Sequence, residues 1–201
     1  PKTEMWSTAA CEPGAKLHVG LKEGTTPDAF QQAINDGTVA ELVHQITPCA
    51  GDSIFIPSGR LHAIGGGLLI HEIQQNSDTT YRVFDWNRLG LDGTPRALHV
   101  EQSLASIDFS DFEPTMDEPA GNTLACCEHF ETQRHFLRTG DAIRNPDPHR
   151  FSILSVVSGS LQSDGGRTFG KGSFMLLPRG ASPLVANGET VLLQITLPTG
   201  D

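Results

Sequence analysis

The chain has 201 residues, 37% of them hydrophobic, with 21 Gly and 13 Pro, a composition that suits a turn-rich globular β protein with one large or two small cores. Its net charge of −10, with 14 scattered Lys and Arg residues, argues against a general nucleic-acid binder, whose phosphate neutralisation needs clustered cations. No apolar run reaches the roughly 20 residues that a spanning helix needs, so neither membrane nor nucleic acid is expected as a partner, while a small anionic substrate needs only one or two placed cations.

Four cysteines, Cys11, Cys49, Cys126 and Cys127, form no Cys-x-x-Cys pair and no regular framework, which points to a reduced, cytoplasmic setting. Pro1 opens directly into Lys-Thr-Glu, and no basic region followed by an apolar stretch marks a leader, so the chain reads as one from which an upstream portion is missing.

The first clear element runs from Thr26 to Ile46. Thr26 can cap, Pro27 suits the first helical position, and Phe30, Ala33 and Ile34 share a face. After Asp36-Gly37 the set Val39, Leu42, Val43, Ile46 repeats the spacing of three and four, which predicts a second short helix. This helical insertion at 27–46 interrupts a strand-like chain, in which Ser53–Pro57, Leu68–Ile73 and Thr79–Phe84 are β-rich runs bounded by Gly, Pro, Asn and Asp. A helical turn is expected over Glu101–Ile107. The acidic, proline-bearing stretch that follows has neither period and reads as a linker at 108–121. Strands then resume, with Asp164-Gly165-Gly166 as a hairpin turn.

An internal repeat defines the architecture. "GDSIFIPSGRLH" at Gly51 and "GSFMLLPRGASP" at Gly172, 121 residues apart, share Gly, five residues, Pro, one residue, Gly and two further residues before the position that differs. That position is His62 in the first copy and Pro183, which cannot coordinate anything, in the second. The expected fold is therefore mostly β, with two β-barrel units: residues 1–107 carry the site and the helical insertion, and 122–201 form a degenerate second unit.

The spacing Gly51-x5-Pro57-x-Gly59-x2-His62 resembles the second signature motif of the cupin superfamily, a jelly-roll β-barrel whose motif histidine faces the interior and ligates a metal. The Asn often found four residues later is Gly66 here. "HEIQQNSDTTYRVFDWNRLGLDGTPRALHVEQS", with "PKTEMW" and "PGAKLHVGLKEG", is similar to the short bacterial form of type I mannose-6-phosphate isomerase, densely over Pro1–Ile107 and loosely beyond. The chain corresponds to about the last two-thirds of that family's usual length.

What the resemblance implies is a zinc-dependent aldose-ketose isomerase acting on a sugar phosphate. It makes Glu4 and His62 metal ligands and Lys2 a residue of the phosphosugar pocket. Arg82 would face the substrate's phosphate or developing charge, and Glu72 is the carboxylate proposed for proton transfer. The family's remaining ligands, a Gln-x-His pair, belong to the segment that precedes this chain.

Such chemistry suits these residue types. Moving a proton between adjacent carbons passes through an enediol with developing negative charge, which zinc polarises, a carboxylate can shuttle and an Arg fork can stabilise. Taken without the resemblance, Lys2 and Glu4 would be solvated, Arg82 would pair with Asp78 or Asp85 on a strand surface, and Glu72 would face water. His18, His44, His71, His99, His129, His135 and His149 lack His-x-His spacing and read as structural or exposed. The competing class is a non-enzymatic cupin module for sugar binding or interaction; an oxygenase-type metallocupin would gather more histidines. Two ligands predict weak zinc binding, and barrel edges left without partners predict self-association as a homo-oligomer.

Overall fold

The computed structural model describes residues 2–86, 89, 92–94 and 96–198, and they divide into two compact units, Pro1–Asp117 and Glu118–Asp201. Both are built from antiparallel strands, as the turn-rich composition implied.

The first unit opens with β1 (Glu4–Cys11) and β2 (Leu17–Leu21). Helix α1 (Pro27–Asp36) follows, with Thr26 Oγ1 accepting from Ala29 N and Pro27 in the first turn. It stops at Gly37, whose φ of 73° is the left-handed conformation that closes a helix at little cost to glycine alone. The second expected helix is not formed. Val39–Glu41 make a single 3₁₀ turn, and Val43–Ile46 are strand β3, paired to β2. Buried valines four apart satisfy a helical period, but Val39 and Val43 reach the same core from a turn and a strand.

Strands β4 (Ser53–Ile56), β5 (His62–Ile64) and β6 (Leu68–Gln74) complete two sheets ordered β4-β1-β6 and β3-β2-β5. Trp6, Leu17, Val19, Ile54 and Ile56 from both sheets form a buried cluster, while Leu21, Phe30, Val39 and Val43 bury α1 in another. Thr79–Phe84 is not a strand: β6 ends at Gln74, the chain turns at Ser77, and Arg82 bonds across to His99 at the start of α2 (Val100–Ser106). β-branched Thr79 and Thr80 carry strand propensity, but the backbone partner of this stretch is the approach to a helix.

The acidic stretch after α2 is bonded into the first unit as far as Asp117. Asp111 receives Nε and Nη2 of Arg60 at 2.9 and 2.8 Å, and its carbonyl accepts from Leu21 N at 3.0 Å. Asp117 Oδ2 accepts from Phe55 N at 2.5 Å, and Phe109 packs edge-on to Phe30 with centroids 5.8 Å apart. Acidity marks these residues as polar in composition, yet each carboxylate is consumed by a donor that the first unit presents.

The second unit comprises β7 (Thr123–Cys126), β8 (Glu131–Leu137), β9 (Ala142–Ile143), β10 (Ser152–Ser158), β11 (Ser160–Gln162), β12 (Thr168–Gly170), β13 (Phe174–Leu177), β14 (Leu184–Ala186) and β15 (Thr190–Thr196). Its sheets run β13-β10-β15-β8-β7 and β12-β11-β14-β9 around a core of Leu154, Val156, Leu161, Leu177 and Leu192. Asp164-Gly165-Gly166 lies at the β11–β12 turn, closed by Gly166 N donating to Ser163 O. All four cysteines carry free thiols.

Gly20, on β2, has φ of 72°, and a Cβ there would strike the Pro114 ring. Gly14, with φ of 82°, faces open space. Gly20→Ala is expected to destabilise the first unit by about 1–3 kcal/mol more than Gly14→Ala in urea unfolding, with faster hydrogen exchange over residues 108–117. Equal losses in the two variants would show that this segment does not press on β2.

Candidate functional site

Glu4 begins β1 with its side chain 1% exposed. Burying a carboxylate in a protein interior requires partners, because water no longer solvates the charge. Here Trp6 Nε1 donates to Oε2 at 3.1 Å, and Oε1 lies 2.6 Å from Lys2 Nζ and 3.6 Å from His62 Nε2. Lys2 Nζ also sits 3.5 Å from Glu72 Oε1, so one ammonium serves two carboxylates. β1 pairs with β4 on one side and β6 on the other, with Glu4 opposite Ile56 and Trp6 opposite Glu72. The register thereby brings residues separated by tens of positions to one end of a sheet.

His62 starts β5, just past the Pro57–Arg60 turn, where Arg60 N donates to Pro57 O. Its Nδ1 is 2.7 Å from Arg60 O. A carbonyl only accepts, so Nδ1 carries the proton and Nε2 is the nitrogen turned toward Glu4. The Trp6 ring meets the imidazole edge-on at 5.2 Å. Two acceptors facing each other at 3.6 Å need a positive species between them, either a proton on Nε2 or a metal ion. Zinc takes N and O ligands at roughly 2.0–2.2 Å, and the separation is within the span of two such bonds. The pair fits two positions of a zinc site. Among the described residues, no group of three or more His, Cys, Asp and Glu side chains gathers where it could hold a metal.

A cavity of about 420 Å³ opens over this cluster, within the range of small-molecule sites, and Lys2, Glu4, His62, Glu72 and Arg82 all line it. The five residues singled out from the sequence are therefore brought together. Arg82 reaches the cavity from irregular backbone fixed at both ends, its N–H donating to His99 Nδ1 at 3.3 Å and its carbonyl accepting from His99 N at 2.7 Å. Asp85, considered as its partner, is instead held by the Nε of Arg96 at 2.6 Å. Glu72 is 38% exposed, open to the cavity while tethered by Lys2.

His18, read from the sequence as structural or exposed, and Trp86, which the sequence reading did not single out, also line the cavity, with rings 5.1 Å apart. Burial pushes the His18 imidazole below its usual range, favouring the neutral ring. Alternation on β2, which turns Leu17 and Val19 to the core and His18 to the other face, is the signal that could have found it.

No family model matches the chain. Mannose-6-phosphate isomerase ManA of Bacillus subtilis (strain 168) is 32% identical over 197 residues, 93% of this chain and 62% of that protein. Mannose-6-phosphate isomerase of Streptococcus mutans is 40% identical over 124 residues, 62% of this chain and 37% of that one. The chain is a homologue of mannose-6-phosphate isomerases. The crystal structure of mannose 6-phosphate isomerase from Bacillus subtilis matches with a TM-score of 0.83 at 28% identity, over 97% of this chain and 64% of that one. Phosphomannose isomerase from Salmonella typhimurium, at 15% identity and a TM-score of 0.68, shares the fold. The chain spans less than two-thirds of the length of these relatives from Bacillus subtilis and Streptococcus mutans.

Burial alone would raise the Glu4 carboxyl, but the hydrogen bonds and charges of His62 and Lys2 together outweigh it and lower its pKa from 4.5 to about 2. A depressed carboxyl stabilises the fold above its unfolded value, and the contribution disappears as pH falls from 4.5 through about 2. We expect Glu4→Gln to cost on the order of 3 kcal/mol at pH 7 by urea unfolding, with the gap to wild type closing as pH approaches 2. A gap independent of pH would show that the carboxylate's charge is not what stabilises.

Proposed function

We propose that this protein is an aldose-ketose isomerase that interconverts mannose 6-phosphate and fructose 6-phosphate through an enediol, with zinc as its metal. The observation that carries this is the convergence of Glu4, His62, Lys2, Glu72 and Arg82 on one cavity in a chain homologous to mannose-6-phosphate isomerases.

Charge supports the reading. Lys2 and Arg82 cancel Glu4 and Glu72, and Arg96 cancels Asp85, so among the described residues the charges along the cavity sum to zero. A phosphate monoester carries about −1.5 to −2 at neutral pH, which a neutral cavity does not attract, whereas a divalent cation at Glu4 and His62 supplies the missing charge. When bound, zinc would polarise the carbonyl and hydroxyl oxygens of the substrate.

The chain's own residues do the rest. Arg82 offers a planar fork to phosphate or enediolate oxygens, and Lys2 a point charge. Glu72, open to the cavity, takes a proton from one carbon and returns it to its neighbour, with Lys2 at 3.5 Å positioning the carboxylate. The Arg60 carbonyl on His62 Nδ1 fixes the imidazole so that Nε2 faces inward, the outer-sphere orientation that metal-bound histidines need. Free thiols on all four cysteines suit a reducing, cytoplasmic compartment, and among the described residues no helix is long and apolar enough to cross a membrane.

A second reading, a sugar-binding cupin module without catalysis, is favoured by the presence of only two metal donors among the described residues. One experiment separates them. With added zinc the chain should convert mannose 6-phosphate to fructose 6-phosphate slowly, bind zinc weakly in calorimetry, and lose its activity in His62→Ala. Substrate binding with no conversion in either protein would establish the module. Tight one-to-one zinc binding would mean that donors beyond Glu4 and His62 complete the site.

A further inference from the structure

The two units share more than a repeated turn. β10 pairs with β13 and β15 as β1 pairs with β4 and β6. The registers superpose: Ser152 faces Leu177 as Glu4 faces Ile56, and Leu154 faces Gln194 as Trp6 faces Glu72. Even the bulge recurs, between Thr8 and Ala10 in one copy and between Val156 and Ser158 in the other. Gly51 N donates to Thr8 O at 2.8 Å, and Gly172 N donates to Val156 O at 2.8 Å. Position by position, Arg150 stands where Lys2 stands, Ser152 where Glu4 does, Gln194 where Glu72 does, and Pro183 where His62 does.

A cavity of about 200 Å³ lies beside this place in the second unit, lined by Arg150 and Gln194, the counterparts of Lys2 and Glu72, and by Glu131, Gln133, Asp147 and Phe151 among others, while Ser152 and Pro183 are not among its lining residues. We propose that it is a second ligand site, on strands that repeat those of the first, and that it takes a neutral, hydroxyl-rich molecule of a single ring, such as an unphosphorylated sugar.

Its chemistry excludes the first unit's ligand class. Arg150 lies 3.5 Å from Asp147 and donates Nη1 to Pro198 O at 2.9 Å, so its charge is engaged, and Glu131 leaves the lining net negative. A phosphate is repelled from such a lining. Hydroxyl groups are not: two carboxylates and two amides are the acceptors and donors that a polyol needs, and the Phe151 ring, 41% exposed, presents a flat apolar face to C–H groups.

The polar lining is preorganised. Gln194 Nε2 donates to Arg144 O at 2.9 Å and to Ser152 Oγ at 3.1 Å, Ser152 Oγ donates to Asn145 Oδ1 at 2.6 Å, and Gln133 Nε2 donates to Glu131 Oε1 at 2.7 Å. The volume falls below the roughly 300–1,000 Å³ of most ligand cavities, which restricts the ligand to one ring.

The test is a titration of the ¹⁵N-labelled full chain with D-mannose and, separately, with mannose 6-phosphate. D-mannose should give saturable amide shifts at Gln133, Phe151 and Thr196 in the millimolar range, and mannose 6-phosphate should not. Phe151→Ala should weaken the D-mannose response about tenfold. The double variant Glu131→Gln with Asp147→Asn, which leaves Arg150 as the net charge, should admit the phosphorylated sugar. Preserved dispersion in each spectrum shows that the variants fold. No saturable shift at these amides, or equal responses to both sugars in the wild type, would overturn the proposal. Amides of Trp6 and His62 report the first unit separately, so a failure of the isomerase reading would be seen there and not here.

Discussion

The first unit is organised around one electrostatic constraint: a carboxylate, Glu4, that is almost wholly withdrawn from water. An ion in that position is tolerable only while cations and donors surround it, and the sheet register delivers them. Lys2 arrives from the strand's own N-terminal approach, His62 from the next turn, and Trp6 from two residues along the same strand. A cluster assembled to solvate one buried charge is at the same time a polar cavity floor. The residues that make the buried charge tolerable are therefore the ones that form that floor.

Arg60 ties that floor to the rest of the unit. Its carbonyl orients the His62 ring, its Nη1 donates to Phe55 O at 2.7 Å, and its remaining guanidinium nitrogens hold Asp111. One residue thus couples the imidazole that faces Glu4, the strand opposite Glu4, and the acidic stretch that closes over β2. A bidentate, partly buried pair of this kind is stronger than a surface ion pair, because solvent screens it less.

The repeat, the glycine-bounded strands and helix α1 were legible in the sequence, since each depends on local chemistry: turn residues, a capping threonine, a period of two. The candidate site residues were picked out through the family resemblance, and the structure adds the distances that make them a cluster. What escaped was decided by partners distant in the chain. Val43 looks helical until β2 supplies a ladder. Thr79–Phe84 looks like a strand, but the sheet ends at β6 and His99 takes its backbone bonds. Asp108–Asp117 looks like a linker, since nothing local announces that Arg60 and Phe55 stand ready with donors.

One asymmetry between the units remains. In the second, β15 is flanked on its far side by β8 along its whole length, whereas among the described residues β6, its counterpart in the first, ends its sheet. β6 carries Glu72 and displays an alternating pattern in which His71 and Ile73 are buried while Glu72 and Gln74 are exposed. Any strand that joined this border would find its frame dictated: shifted by one residue, it would turn its cavity-side chains outward and its apolar ones toward the ions. The border is therefore a reading frame as much as an opening, able to discriminate among incoming strands by parity before any of their side chains reaches the cavity.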